Sequence, residues 1–403
     1  MKIFKKTNVL EEALTRINYL FDEFPNVVVG FSGGKDSTVC LNLTLKVARE
    51  RNRLPLKVMW IDQEAEWQGT ADYCEEVFNN PDIEPLWFQM PMKWYNNVSS
   101  YDSFIKIWDE DKPEQWIREK SPMSIKENKY LEFGFHELFE NILKHHYPNE
   151  KTCYIAGVRA EESPRRKLAM TRDLTYKDIT WGKRLYVQYE HYTFYPIYDW
   201  SYTDVWKSIH EHNWEYNNVY NEMYRHGVSL NEMRISNLHH ETAIQSMLIV
   251  QEIEPKTWEK IASRYDGVNT LKHLQRESFQ CPKELPFMFK DWEEYALHLI
   301  ENIIQEDKYK KMILKKIEQL TLVYTDAEIK EDFFKVIIKT VLSTDWDLTK
   351  LKNWTEGNKD AYIYREFKKG NVKDYMMSKS KYVTNEMRQQ LQNKINDTNR
   401  GND

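Results

Sequence analysis

The chain has 403 residues, room for two or three domains at about 150 residues each. It is 41% hydrophobic, 30% charged and 14% aromatic, with 12 glycines and 13 prolines, which excludes collagen-like, linker-like, proline-rich and wholly disordered chains. The formal net charge of −6 disfavours a generally basic nucleic-acid binder and leaves only local basic patches.

Leu10, Leu14, Ile17 and Phe21 recur at helical spacing, with Asn8 and Glu11 as a capping-box pair and Pro25 as the stop. Residues 27–31 are short, apolar and β-branched and read as a buried strand. Ser32-Gly33-Gly34-Lys35-Asp36-Ser37 follows, and then a helix over residues 38–50 with Val39, Leu43 and Val47 on one face. Strands are predicted at 56–61, 86–89 and 153–158, and helices at 66–78 and 135–146. This alternation gives a mostly parallel α/β sheet with helices on both faces. Residues 92–130 break it and read as an insertion. Phe194–Ile197 is a further short apolar stretch, after which Ser201 or Thr203 can cap a helix carrying Val205, Ile209 and His212. Helical periodicity takes over after about residue 215. The expected organisation is a nucleotide-binding domain over 1–215, a helical domain over 216–378 and a polar tail over 379–403.

No stretch approaches the ~18 apolar residues of a membrane span, and the N-terminal segment is too charged for a secretory signal, so the expected location is cytoplasmic. Cys40, Cys74, Cys153 and Cys281 are far apart with no CxxC, so no disulfide framework, zinc site or iron–sulfur cluster is expected. His145-His146, His210 with His212, and His239-His240 lack metal-ligand spacing and read as solvated or core histidines.

The Ser32–Ser37 loop, between a buried strand and a helix start, carries the chemistry. Two glycines let backbone approach an anion, helix-start N–H groups favour a phosphate, and Ser32, Ser37 and Lys35 add donors. The spacing is not that of a Walker A loop. It resembles the PP-loop signature SGGxDS of the ATP pyrophosphatases and the phosphoadenylylsulfate (PAPS) reductases, which share an adenine-nucleotide α-hydrolase-like fold. Gly157-Val158-Arg159-Ala160-Glu161-Glu162-Ser163, with Arg166 beyond, resembles the GxRxxES…R segment of the PAPS reductase family. Tyr195–Trp206 resembles its structural P-I-x-x-W-(T/S)-xx-D-V-W block.

The resemblance implies a nucleotide held by Ser32, Gly33, Gly34, Lys35, Asp36, Ser37, Asp62, Gly157, Arg159, Glu162 and Ser163. Lys35, Arg159 and Arg166 would be the catalytic cations. If the nucleotide is ATP, Asp62 and Glu64 are candidate Mg2+ ligands. The family's C-terminal E-C-G-x-H cysteine motif and its paired cluster cysteines are missing, which argues against PAPS reduction. Length, insertion and a cysteine-poor helical C-terminal region are most similar to the immunoglobulin-binding regulator A (IbrA)-like subgroup. That similarity implies a mobile-element or prophage setting and a ParB/sulfiredoxin-like protein partner.

Basic residues at Arg165-Arg166-Lys167, Arg172, Lys177 and Lys183-Arg184, interleaved with Tyr176 and Trp181, read as a funnel for an anionic substrate, with a nucleic-acid surface as the alternative. The functional expectation is ATP pyrophosphatase-type adenylylation of an unidentified acceptor. The alternatives are sulfonucleotide chemistry on PAPS and a non-catalytic, nucleotide-dependent regulator.

Overall fold

The first helix, α1 (Val9–Glu23), begins where the sequence predicts. Asn8 accepts the Glu11 N–H, and the Glu11 side chain accepts the Asn8 N–H in return. The computed structural model describes residues 6–96, 104–130, 135–171, 176–185, 190–230, 232–235, 237–238, 244–265, 268, 281–304, 306–324, 327–343, 345–346, 348–368 and 389. These divide into two compact units, residues 1–98 with 104–265, and residues 99–103 with 266–403. The polar tail predicted over 379–403 lies, but for one residue, outside the described residues.

In the first unit the chain runs through β1 (Asn26–Gly30), α2 (Lys35–Glu50), β2 (Leu56–Ile61), α3 (Gln68–Phe78) and β3 (Ile83–Phe88). It continues through β4 (Met92–Tyr95), β5 (Phe104–Ile107), α4 (Phe135–His146), β6 (Thr152–Ile155), α5 (Pro164–Thr171), β7 (Gly182–Arg184) and β8 (His191–Phe194). Helices α6 (Tyr202–Glu211), α7 (Val219–Arg225), α8 (Ile244–Ile253) and α9 (Pro255–Arg264) complete it. Six strands form one sheet in the order β3-β2-β1-β6-β8-β7, parallel except for β7. This is the expected mostly parallel α/β sheet. β3 starts three residues before the predicted strand and contains Pro85, which its outer position in the sheet tolerates.

Alternation along the strands sorts the two layers. Val27, Val29, Val58, Trp60, Trp87 and Ile155 pack with α1, α2, α3 and α6. Val28, Met59, Ile61, Leu86 and Phe88 face the other way, toward α4 and the insertion. Chain order places β2 and β3 on one side of β1 and β6 and β8 on the other. The winding direction therefore reverses between β1 and β6, and the strand ends there open a crevice.

The insertion has structure that the sequence did not predict. β4 and β5 form an antiparallel hairpin, and Ile125 then bonds the β3 side of the sheet through its N–H to the Trp87 carbonyl (2.7 Å). Buried charge fastens it. Asp62, just past β2, accepts from Trp87 Nε1 (3.0 Å), Gln89 Nε2 (2.9 Å), the Glu64 N–H (3.0 Å) and the Arg118 guanidinium. Glu64, with φ +69°, accepts from the Trp108 N–H (2.5 Å) and pairs with Arg264 Nε at 3.2 Å. Asp62 and Glu64 are fully buried. Removing one partner of such a pair strands a charge at a cost of about 3–5 kcal/mol.

The second unit contains α10 (Trp292–Ile303), α11 (Asp307–Thr321), α12 (Ala327–Leu342), α13 (Thr349–Lys352) and α14 (Lys359–Lys368), with no strand among its described residues. Asp291 caps α10 through the Glu294 N–H (2.8 Å), and Tyr324 packs on Phe333 and Trp354 with ring centroids 5.9 and 5.1 Å away. No helix among the described residues is long and apolar enough to cross a membrane.

Glu66 stands beside the Asp62 network, and burial, then the Asp62 carboxylate, push its carboxyl up to about 8, against the pull of Arg118 and of the Asn237 amide. Between the ordinary value of 4.5 and about 8 the folded chain holds a proton there that the unfolded chain has released. This group therefore subtracts stability as pH rises through that window. Glu66→Gln removes the titration. The thermal midpoint of the variant should gain on wild type progressively from about pH 5 to about pH 8, whereas parallel melting-against-pH curves would contradict the assignment.

Candidate functional site

The two halves of the site leave the sheet from neighbouring strands. Phe31 N–H still bonds the Met59 carbonyl (2.8 Å), and the chain then lifts out through Ser32, Gly33 and Gly34. Gly33 has φ +69°, and a Cβ on it would stand 2.8 Å from Thr70 Cγ2, so glycine is required twice over. Gly34 is the N-cap of α2, with extended backbone and no side chain to bond the first-turn amides. A helix start without a capping side chain leaves N–H groups for an anion. The first turn already begins at Lys35, three residues before the predicted helix.

The serines shape the loop. Ser37 Oγ donates to the Gly34 carbonyl (2.8 Å) and accepts the Ser32 N–H (3.3 Å), and the two hydroxyls lie 3.3 Å apart. Lys35 is buried. Its ammonium donates to the Met233 carbonyl (2.9 Å), lies 3.6 Å from Asp36 Oδ2 and sits 5.2 Å over the Tyr220 ring. Its backbone N–H donates to the Tyr220 hydroxyl (3.0 Å). Burial lowers the Lys35 pKa, Asp36 opposes this, and Arg159 and Arg234 lower it further.

The second half follows β6. A Cβ on Gly157 would stand 2.7 Å from the carbonyl carbon and oxygen of Asp36 and 2.8 Å from the Ser37 nitrogen. The two turns thus pack backbone on backbone. Arg159 is buried and ties them together. Its Nε pairs with Asp36, and its Nη1 reaches Glu161 (3.2 Å) and the Trp200 carbonyl (3.5 Å). Its N–H donates to Glu162 Oε1 (3.0 Å). Ser163 Oγ accepts the Arg166 N–H (3.1 Å) at the start of α5, and the exposed Arg166 guanidinium pairs with Glu162. Partial loss of hydration, then Arg234, lowers the pKa of this half-exposed group, with Asp36 opposing and Arg159 adding to the repulsion.

The structure therefore brings Ser32, Gly33, Gly34, Lys35, Asp36, Ser37, Gly157, Arg159, Glu162, Ser163 and Arg166 to one edge of the sheet. Asp62 and Glu64 are turned into the insertion instead. Indole, amide, backbone and guanidinium donors occupy the oxygens of both, so they do not fit as ligands of a protein-bound Mg2+. Among the described residues no three His, Cys, Asp or Glu side chains form a metal-binding group. His146 shares a hydrogen bond with the Tyr130 hydroxyl (3.1 Å), and His212 bonds the Ser208 carbonyl (2.9 Å) and stacks on Trp214. His239 and His240, Arg172 and the Arg165 side chain lie outside the described residues. Lys177 and Tyr176 bond Glu23, which precedes β1, so they stand at the sheet edge opposite the loop and do not form a funnel to it.

Sequence reasoning missed the strap formed by residues 217–230, 232–235 and 237–238. Asn217 Nδ2 donates to the Gly33 carbonyl (3.3 Å) and to Thr70 Oγ1 (2.8 Å), Leu238 N–H bonds the Ala65 carbonyl (2.8 Å), and Asn237 Nδ2 bonds Gln63 Oε1 (2.6 Å). Beyond it, Glu254 caps α3 by accepting the Gln68 and Gly69 N–H groups at 2.7 and 2.9 Å. The one available signal was a tyrosine, a glycine and an arginine within a polar stretch.

Residues 26–226 match the phosphoadenosine phosphosulfate reductase domain family. The Escherichia coli K12 protein YbdN, itself uncharacterized, is 27% identical over 320 residues, covering 75% of this chain and 78% of its own. That alignment is longer than the domain, so the two proteins share sequence beyond it. Candida glabrata FMN adenylyltransferase aligns with 14% identity and a TM-score of 0.34, over 54% of this chain and 62% of that one. PAPS reductase from Candida auris aligns with 14% identity and a TM-score of 0.32, over 58% of this chain and 90% of that one. The two glycine-dependent turns at the β1/β6 reversal lie inside the matched residues, and residues 26–226 carry a phosphoadenosine phosphosulfate reductase domain.

Proposed function

We propose that the crevice between β1 and β6 binds an adenine nucleotide and that the protein is an adenylylating enzyme of the ATP pyrophosphatase type. The observation that carries this is the backbone contact of Gly157 on Asp36 and Ser37. It brings a helix start without a capping side chain and three cations, Lys35, Arg159 and Arg166, to one place, which supports an anion-binding role for that edge. An ammonium has three donors; Lys35 gives one to Met233 and turns another toward Asp36 Oδ2, 3.6 Å away, which leaves one for a ligand oxygen. In the reaction a nucleophilic oxygen of the acceptor forms a bond to the α-phosphorus of ATP. The bond from that phosphorus to the bridging oxygen breaks, and pyrophosphate leaves carrying the electron pair. The amides and cations would stabilise the charge that builds on the leaving pyrophosphate. Any Mg2+ accompanying ATP would be held by the nucleotide's own oxygens, since Asp62 and Glu64 are committed elsewhere.

A sulfonucleotide in the same crevice is the second reading, favoured by the domain match. Reduction by an internal thiolate has little support in the cysteines. Cys40, Cys74 and Cys153 are wholly buried, and burial pushes all three thiols far up; half-buried Cys281 is raised as well, also by burial. A regulator that binds nucleotide without turnover, with or without a ParB/sulfiredoxin-like partner, would use the same surface.

Calorimetric titration with ATP and with PAPS, followed by a pyrophosphate-release assay, separates these readings. The adenylylating enzyme prefers ATP and releases pyrophosphate when the acceptor is present. Lys35→Ala should weaken ATP binding by roughly tenfold or more through loss of a charge-assisted contact. Unchanged affinity in a folded variant would remove Lys35 from the site. A thiol-reactive dye should label at most Cys281 rapidly in the native protein and all four cysteines in denaturant. Rapid labelling of Cys40, Cys74 or Cys153 at neutral pH would restore thiol chemistry.

A further inference from the structure

Arg234 has no role in the resemblance described above, yet it stands among the cations of the crevice. The backbone around it is pinned. The neighbouring Met233 carbonyl accepts from the Lys35 ammonium (2.9 Å), and the Tyr220 hydroxyl of the same strap holds the Lys35 N–H (3.0 Å). Leu238, four residues on, is fully buried and bonds the Ala65 carbonyl. Arg234 itself is exposed, and its Nη2 donates to the Glu162 carbonyl at 3.2 Å. Asp36, Glu161 and Glu162 are already paired with Arg159 and Arg166, and among the described residues no carboxylate forms an ion pair with Arg234. Its charge acts on both Lys35 and Arg166, each of which it disfavours in the charged form. Like charges held together by fixed backbone at a helix start are an arrangement that a multiply charged anion relieves.

We propose that Arg234 is a ligand-binding residue of this site, carried in by the strap to grip the outer end of a diphosphate-containing anion, the pyrophosphoryl part of the bound nucleotide. This rests on the nucleotide reading above. A guanidinium suits the task because its planar donors can span two phosphate oxygens. The strap thereby discriminates by length. An anion of one phosphate is served by the loop amides and Lys35, and one with two or more phosphates also meets Arg234.

The test is titration of folded wild type, Arg234→Gln and Arg225→Ala with ATP, AMP, adenosine and inorganic pyrophosphate. Arg225 is exposed, pairs with Glu222 and controls for general surface charge. Arg234→Gln should weaken ATP and pyrophosphate by roughly tenfold or more and AMP and adenosine by less than about twofold, with Arg225→Ala unchanged. Equal ATP and pyrophosphate affinities in wild type and Arg234→Gln would overturn the proposal, as would an equal loss for all four ligands. Pyrophosphate binding that depends on Arg234, without binding of any adenine compound, would support Arg234 and defeat the nucleotide reading. ATP binding indifferent to Arg234 would do the reverse, and a wild type that binds neither ATP nor pyrophosphate would defeat both. Should the Gln variant not fold, phenylglyoxal modification of wild type decides. Pyrophosphate should protect Arg234, read by peptide mass, and no protection would overturn the proposal.

Discussion

The structure depends on how closely two neighbouring strand ends can bring their turns together. β1 and β6 run parallel with Val29 opposite Ile155, so both chains leave the sheet level with each other. The crossovers on either side depart in opposite directions, and the strand ends there open a crevice. What closes it is backbone. Gly157 lies on the carbonyl of Asp36, and any side chain at that position would wedge the two halves apart. Arg159, rooted in one turn, is then near enough to pair with Asp36 in the other.

Around that contact, charge is divided between two tasks. Asp62, Glu64, Arg118 and Arg264 are buried partners that dock the insertion and α9 on the end of β2. Their oxygens are spent on structure. Lys35, Arg159, Arg166 and Arg234 are gathered with fewer carboxylates among them; burial, and then the neighbouring arginines, lower the pKa of Lys35 and Arg166, which supports the proposed anion site. Asp62 and Glu64 thus do not serve the loop, while Arg234, some 200 positions beyond it, bonds the Glu162 carbonyl beside it.

Much of this was legible in the sequence. The capping pair Asn8 and Glu11 fixes the start of α1, the runs at 27–31 and 56–61 mark β1 and β2, and the spacing of glycines and serines at 32–37 identifies the loop. These signals are local, and local geometry is what each one specifies. The roles of Asp62 and Glu64 were not legible, because an acid after a strand reads the same whether it faces a ligand or an arginine 56 positions later. The hairpin of β4 and β5 was hidden for a related reason. Its strands are four residues long and partly polar, and they gain their apolar partners from the sheet beneath. β7 and β8 carry the same weakness, and only Phe194 of the predicted apolar stretch belongs to β8. Tyr220, Met233 and Arg234 act at the loop through a tertiary path that no periodicity encodes.

The most direct measurement is a crystal structure of the protein with a non-hydrolysable ATP analogue. The account predicts phosphate density over the first-turn amides of α2, between Lys35 and Arg159, against the Gly157 turn. An analogue bound elsewhere, with the Ser32–Ser37 loop and its cations free of phosphate, would contradict it.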